Sequence, residues 1–419
     1  MSEIRVTSVV GESGGDRVGL TTGLTVGPLT GTTGIGATIS HQGHAQFVGV
    51  CTATSFVPTT GQLSHRNIII NGDMRIAQRA TTSTTAGVTT IDRFKFQYSG
   101  TDEAPTASQV DVTSGGAYDS GFRKCFKVTN GNQTGGAGTS DMISVDYNFE
   151  TQDISYSGWN YVSSSSFITL SYWVKSSVAQ NFFVTLKSGD GTPQKYATET
   201  GSLSANTWTK ITKTIPGNSN LQFDTSGATD LGLFLELSMF RGTDKTGTIA
   251  LDAWNPYGSG TTRTPDQTST WYTTNDATFE ITGVQLEVGP VATPFEHRSF
   301  GDELRRCQRY CFRLGGSAAE IYTTLAFAVH ANTTVAKAHI IHPVPMRSVA
   351  ITYSVSGITF DDDVASYNSG NYSSIDSVNN GTTSGTINFI TANYGASAGR
   401  VTRVLVSTGG GYIQGECEL

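Results

Sequence analysis

The chain has few charged residues and no recognisable pattern among its cysteines. Only 15% of its 419 residues are Asp, Glu, Lys or Arg, against roughly a quarter in an average soluble protein. This composition argues against disorder caused by a high content of charged residues. The five cysteines show no Cys-x-x-Cys spacing, which argues against a disulfide framework and a zinc ribbon. We expect reduced thiols, with Cys307 and Cys311 as small buried residues on a helix.

Excess basic charge, long apolar runs and catalytic motifs are also missing. The formal net charge of -7 disfavours nucleic acid as a ligand, because that affinity rests on Lys and Arg. No apolar run approaches the roughly 18 residues needed to span a bilayer, so we expect no membrane insertion, and no secretion signal is visible. No H-E-x-x-H or P-loop sequence occurs, and we therefore expect no enzyme activity and no catalytic residues.

Glycine, threonine, serine and asparagine take the place of the missing charges. The chain has 48 Gly but 11 Pro; Thr favours strands because it is β-branched, and Gly supplies the positive φ of tight turns. This composition predicts an all-β fold.

Two stretches show the alternation of β-strands most clearly. The apolar residues from Leu231 to Met239 fall on one side of an extended segment, which predicts a half-buried strand. Between Phe279 and Val288 the apolar phase shifts by one residue at Gly283, which predicts a β-bulge.

These patterns divide the chain into four parts. Residues 1–64 hold short glycine-punctuated segments that cannot bury a core alone, so we expect an N-terminal shaft or docking segment intertwined with sister chains. Residues 65–298 predict a jelly-roll β-sandwich, 299–316 a connector with its helix at 302–314, and 317–419 a smaller β-sandwich with a loop at about 361–384.

Several stretches in series resemble the signature of phage tail fibre and related virion proteins. The first is NIIINGDMRIAQR at 67–79, and the others lie at 91–94, 281–289, 292–298, 303–304 and 307–310. Residues 47–56 also resemble the shaft repeat of marine phage fibres.

The resemblance implies a carbohydrate-binding-like jelly roll in a homotrimeric tail fibre of a virion made in the host cytoplasm. It also implies that the N-terminus docks on other tail or neck proteins and that the distal lobe binds a host-surface glycan or protein. Attachment would then rest on avidity from several weak sites. A capsid or neck decoration protein is the alternative, and a polysaccharide depolymerase is a third, less favoured function.

Four aromatic residues in the polar segment at about 252–276 are the candidate ligand-binding residues, because flat rings in a loop can stack on a sugar. They are Trp254, Tyr257, Trp271 and Tyr272. The alternative is that they close the end of the sandwich or pack against a neighbouring subunit. Trp173 and Trp208 lie within predicted strands and are expected in the core.

No cofactor is required, although jelly rolls of this resemblance often hold a structural calcium ion. Carboxylates at three positions could supply its oxygen ligands, the alternative being ordinary turn and strand-edge carboxylates. They are Asp73, Asp252 and Glu287.

Two other clusters are weighed against a role in chemistry. The acidic run 361–363 predicts a solvated loop or a cation site, because adjacent strand residues point to opposite faces. His339 and His342 would also lie on opposite faces of a strand, and His41 and His44 lie in a turn, so we expect neither pair to hold a metal ion within one chain.

Overall fold

The computed structural model describes residues 64–223, 230–258, 260, 262–361, 372–391 and 397–419, and three short strands nearer the N-terminus. These three strands pair antiparallel within a compact unit, Met1–Thr59. They are β1 (Leu24–Val26), β2 (Ala37–Ile39) and β3 (Ala45–Phe47). Three predictions lie outside the described residues. They are the intertwining of residues 1–64, the turn with the histidines at 41 and 44, and most of the repeat at 47–56.

A second compact unit, Thr60–Leu419, begins with a large β-sandwich. Its strands are β4 (Thr82–Ser83), β5 (Phe94–Ser99), β6 (Thr106–Asp111), β7 (Lys124–Thr129), β8 (Met142–Glu150), β9 (Phe167–Ser176), β10 (Phe183–Ser188), β11 (Gln194–Glu199), β12 (Thr209–Pro216), β13 (Leu231–Arg241), β14 (Trp254–Pro256) and β15 (Thr278–Val288). Short helices lie between some of them: α1 (Gly116–Asp119), α2 (Thr151–Ser155) and α3 (Thr270–Thr273).

These strands form two antiparallel six-stranded sheets. One sheet has the order β14-β11-β10-β13-β8-β5 and the other has the order β12-β9-β15-β7-β6-β4. One hydrophobic core contains residues from both sheets, with each fully buried large apolar side chain contributing about 1.5–3 kcal/mol. The predicted all-β class is therefore confirmed, and the central segment is a β-sandwich.

Strand β13 shows how alternation builds this core. Leu233, Leu235 and Leu237 are fully buried between the sheets, as predicted, while Leu231 at the strand's start is exposed. The opposite side of the strand differs from the expectation of a solvated face, because Glu236 is 1% exposed. A buried carboxylate there requires partners, which other strands supply.

The predicted β-bulge in β15 is confirmed. Gly283 and Val284 together stand opposite Tyr172 of β9, because the register jumps between Thr282 and Gln285. Gly283 has a φ of 62°, a left-handed conformation that glycine adopts without a steric penalty. The extra residue returns the apolar side chains to the core on both sides of the bulge.

The connector is half helix and half strand. Helix α4 (Phe300–Gln308) begins at Ser299, whose Oγ accepts a hydrogen bond from the backbone N–H of Asp302. The prediction of a helix continuing to residue 314 is wrong, because β16 (Cys311–Gly315) follows it. This strand pairs with residues about a hundred positions later, a partner that local periodicity does not show.

The remaining strands form a second, smaller pair of sheets. They are β17 (Thr324–His330), β18 (Val335–Ile341), β19 (Thr352–Ser356), β20 (Ile358–Asp361), β21 (Tyr372–Val378), β22 (Ser384–Thr391), β23 (Val401–Val406) and β24 (Tyr412–Glu416). The sheet orders are β16-β24-β19 and β20-β23-β17-β18-β22-β21, and both sheets contribute to one core. The expectation of a loop at about 361–384 is wrong, because β21 pairs with β22 within this stretch and Tyr372 and Ile375 pack on the core.

Buried arginines connect the two sandwiches. Arg79 Nη2 lies 2.9 Å from Glu418 Oε1, and its Nε lies 3.0 Å from Glu416 Oε2. Arg93 Nη1 lies 2.8 Å from the other oxygen of Glu418, and its guanidinium stacks 3.4 Å from the ring centre of Tyr310. Ion pairs thus hold residues near β24 against the start of the large sandwich.

Candidate functional site

A cavity of about 500 Å³ opens on the outer face of the first six-stranded sheet. It is lined by side chains from β5, β8, β10 and β13 and by the segment after β14. Strand alternation explains its composition: the core-facing leucines and valines of β8, β10 and β13 leave the intervening residues on the opposite side. We call this the sheet-face cavity.

Strand register brings charged residues together in the sheet-face cavity. Glu236 of β13 stands opposite Asp146 of β8, and Lys187 of β10 stands opposite Phe234 of β13. Residues opposite each other on one face of a sheet have their Cβ atoms about 5 Å apart. These four side chains therefore form one patch.

Glu236 is the centre of an ion-pair network. Its Oε2 accepts a hydrogen bond from Lys187 Nζ at 2.7 Å, and Arg263 Nη1 lies 3.5 Å from the same oxygen. Arg241 donates from Nε, at 3.1 Å, and from Nη2 to Oε1. Burial alone would raise the pKa of Glu236, but the three cations outweigh burial and lower it to about 2.

Asp146 has the opposite balance. It is 3% exposed and accepts a hydrogen bond from Ser144 Oγ at 2.9 Å. Burial, followed by the charge of Glu236, raises the pKa of Asp146 to about 7 in spite of the nearby Lys187 and Arg241. One carboxylate of the pair is therefore firmly ionised and the other takes up a proton close to neutral pH.

Aromatic rings border the cations. Lys187 Nζ lies 3.8 Å from the ring centre of Phe234 and 5.5 Å from that of Tyr257. The guanidinium of Arg263 lies 6.0 Å from the Tyr257 ring centre. Tyr257 is held in place by its backbone N–H, which donates to the carbonyl of Pro193 at 2.9 Å. The cavity thus combines ring faces with charged hydrogen-bond donors.

The four predicted ligand-binding aromatics do not form one site. Tyr257 lines the sheet-face cavity, whereas Trp254 is half-buried against Tyr196 with its indole N–H donating to a carbonyl at 2.7 Å. Trp271 and Tyr272 are 0% and 1% exposed, so the expectation that their rings meet a ligand is corrected. Both belong to the hydrophobic core of the large sandwich.

The buried pair in α3 is held by specific partners. The Trp271 indole N–H donates to the carbonyl of Thr278 at 3.1 Å, and the Tyr272 hydroxyl donates to Asp141 at 2.8 Å. Trp173 and Trp208, predicted as core residues, are half-buried against a small apolar cluster of the large sandwich.

The three predicted calcium ligands have separate partners. Asp73 pairs with Arg75 at 2.9 Å, and the exposed Asp252 lies 3.6 Å from Lys213. Glu287 is buried, and both of its oxygens accept hydrogen bonds from Thr293. In the part of the chain that the structure describes, no group of three or more His, Cys, Asp or Glu side chains could hold a metal ion. The expectation that these three carboxylates form one site is therefore corrected.

The other clusters behave as structural residues. His339 is exposed while His342 is buried, with Nε2 2.6 Å from the Tyr353 hydroxyl, so their predicted placement on opposite faces is confirmed. Asp361 pairs with Arg403 at 2.6 Å, and positions 362 and 363 lie outside the described residues. Cys307 and Cys311 are buried free thiols, but only Cys307 lies on the predicted helix, because Cys311 begins β16. No helix among the described residues has the length and apolarity to cross a membrane.

The chain is thus an all-β protein with a β-sandwich that carries a charged, ring-bordered cavity on one sheet. No protein-family model and no curated protein matches it. A solved structure of a sugar binding protein, so described, from Bacteroides thetaiotaomicron aligns over 54% of this chain and 100% of its own, with 8% identity and a TM-score of 0.31.

Two further solved structures are similar to part of the chain. The enzymatically active domain of bacteriophage CBA120 tailspike protein 4 aligns over 53% of this chain with 9% identity and a TM-score of 0.27, and the alignment spans 21% of that protein. The family 11 carbohydrate-binding module of a Clostridium thermocellum cellulosomal cellulase aligns over 50% of this chain and 95% of its own, with 13% identity and a TM-score of 0.24.

Proposed function

We propose that the chain is a tail-fibre subunit of a bacteriophage virion and that it attaches to the host surface by binding a glycan in the sheet-face cavity. The observation that carries this proposal is the combination of the Tyr257 ring with the donors of Lys187 and Arg263. A sugar offers both a CH face for an aromatic ring and hydroxyls for polar groups. The series of fibre-like motifs at 67–79, 91–94 and 281–310 supports the virion origin.

We expect binding without cleavage. Asp146 and Glu236 stand opposite each other and their pKa values are pushed apart, an arrangement that glycosidases also use. Glu236, however, already receives bonds from Lys187 and Arg241 on its two oxygens and is 1% exposed. A carboxylate engaged in this way is a poor nucleophile and a poor base, so we expect no release of reducing ends from host glycans.

A homotrimer would turn a weak site into firm attachment. Strands β1, β2 and β3 are three residues each, too short to bury a core by themselves, which supports assembly with sister chains through residues 1–64. Three cavities on one fibre would raise the effective concentration of the second and third sites. We expect the N-terminal segment to dock on other tail or neck proteins.

Substitution of Tyr257 tests the binding site. We expect Tyr257→Ala to weaken binding of the full chain to host-surface glycan by about tenfold, because a stacked ring contributes about 0.5–1.5 kcal/mol beyond the apolar surface that it buries. Tyr156→Ala is the matched control, since Tyr156 is an exposed tyrosine outside the cavity. Binding is measured by surface plasmon resonance, with circular dichroism to verify folding; equal affinities for the two variants would refute this site.

The oligomeric state tests the fibre assignment separately. The full chain should have a mass of about three times 44.4 kDa in light scattering, and a chain starting at residue 65 should be monomeric. A full-length monomer at micromolar concentration would contradict the trimer.

A further inference from the structure

The sheet-face cavity holds an excess of positive charge, although the whole chain has a formal net charge of -7. Lys187, Arg241 and Arg263 line it, and the two carboxylates present are Asp146 and Glu236. Two more cations lie on the same sheet: Lys195 opposite Lys187, and Lys95 opposite Asp146.

The placement of the two opposed lysines is costly. Lys187 and Lys195 are 5% and 3% exposed, and like charges directly opposite each other on a sheet destabilise it. Burial, followed by the charges of Arg263 and Lys187, lowers the pKa of Lys195. In the cavity itself the two carboxylates Asp146 and Glu236 do not neutralise the three cations Lys187, Arg241 and Arg263, so the cavity favours an added negative charge.

Donors remain for such a charge. Lys187 Nζ has three N–H bonds, of which Glu236 takes one. Arg263 meets Glu236 through Nη1 at 3.5 Å, and its side chain is 20% exposed beside the Tyr257 ring. Arg241 Nη1 lies 3.9 Å from Met142 Sδ. An acid group seated between Lys187 and Arg263 would place the attached ring against Tyr257.

We propose that the sheet-face cavity selects sugars that carry an acid group, a carboxylate or a sulfate, over neutral sugars. The proposal rests on the glycan-binding function proposed above and adds the class of glycan. A planar carboxylate and a tetrahedral sulfate share the chemistry that matters here, because both are anions whose oxygens accept charge-assisted hydrogen bonds from Lys and Arg. An anion bound in the cavity would further favour the protonated form of Asp146, because like charges repel.

Matched pairs of glycans test the selection on the full chain. Oligogalacturonate is compared with its methyl ester, and a sulfated oligosaccharide with its desulfated form, by isothermal titration calorimetry. We expect the acidic member of at least one pair to bind about tenfold or more tightly, and this preference to weaken as NaCl is raised. The pair that shows the preference identifies whether carboxylate or sulfate is recognised.

Two arginine substitutions localise the effect. Arg263→Gln should lower affinity for the acidic form more than affinity for the neutral form and so remove most of the preference, whereas Arg305→Gln, which replaces an exposed arginine of α4, should leave both affinities unchanged. Equal binding of acidic and neutral glycans, still sensitive to Tyr257→Ala, would overturn the acid preference and leave glycan binding intact. Failure of every acidic and neutral glycan to bind would overturn both proposals.

Discussion

Two carboxylates that face each other across β8 and β13 have opposite surroundings. Glu236 receives hydrogen bonds from Lys187 and Arg241, whereas Asp146 receives one from Ser144. The first arrangement favours the charged form and the second does not offset burial. The same sheet face therefore holds one carboxylate that stabilises the fold when ionised and one that opposes it.

The pH dependence of stability should separate these two residues. Burial raises the pKa of Asp146 to about 7, above its value in the unfolded chain, so the folded state holds the proton more tightly and stability falls as pH rises from about 4 to about 7. Relative to Asp146→Asn, the unfolding free energy of the native chain should fall by about 1.4 kcal/mol per pH unit between about pH 5 and 6.5.

Urea unfolding over a pH series measures this difference. Glu236, whose pKa is lowered to about 2, contributes stability that is present above about pH 4.5 and lost only on further acidification, so it does not interfere in that window. A difference between the two proteins that stays constant from pH 5 to 6.5 would contradict the raised pKa of Asp146.

Single residues of the cavity differ in how far they can be predicted. Tyr257 stands out in the sequence because a large ring in a polar segment has no obvious core to enter. Lys187 and Arg241 do not stand out, because Arg241 ends its strand and Lys187 is the last residue but one of its own, where a charged residue is expected at the surface. Their burial depends on Glu236, and the contact is created by strand register rather than by spacing in the sequence.

At the scale of the element, the bulge in β15 depends on a glycine for two reasons. Gly283 has a positive φ, and a Cβ added to it would lie 2.5 Å from the ring of Phe122. Gly158 also has a positive φ, of 86°, but a Cβ there would meet no described atom within 4 Å. The two glycines therefore separate backbone strain from steric overlap.

Alanine substitution at both glycines tests this distinction. Each variant should lose about 1 kcal/mol or more from the left-handed backbone alone. Gly283→Ala should lose about 1–3 kcal/mol beyond Gly158→Ala, because the ring of Phe122 must move. Urea unfolding measures both; equal losses would show that the bulge relaxes around the added methyl group.

Elements whose patterns are local were predicted best. Alternating apolar and polar residues predict strands β13 and β15, and a phase shift of that alternation at a glycine predicts the bulge. The end of α4 and the strand β21 were missed because their conformations depend on partners far along the chain, β24 and β22. The apolar residues at 302–314 do have helical spacing, but from Cys311 onwards pairing with β24 outweighs weak helix propensity.

At the scale of the whole molecule, a few ion pairs connect the two sandwiches. Arg79 and Arg93 have side chains that are 8% and 2% exposed, and both pair with Glu418. Removing that carboxylate would leave two buried cations with fewer partners, although Arg79 keeps Glu416 and Asp92.

Glu418→Ala should therefore lower the unfolding free energy by about 1–3 kcal/mol. Asp111→Ala serves as the control, because Asp111 and Lys124 form an ion pair with side chains that are 68% and 39% exposed, and its loss should cost at most about 1 kcal/mol. Thermal and urea unfolding of both variants measure the effect. A Glu418 variant no less stable than the Asp111 variant would show that the junction does not depend on this carboxylate.

The contact between Arg79 and Glu418 joins positions 339 residues apart. A ribosome must therefore synthesise nearly all of the described chain before Glu418 can pair with Arg79 and Arg93. Closing so long a loop is slow. We accordingly expect nascent chains and fragments that lack residues 416–418 to remain partly folded. Such species should depend on chaperones, or on association with one another, until these residues are synthesised.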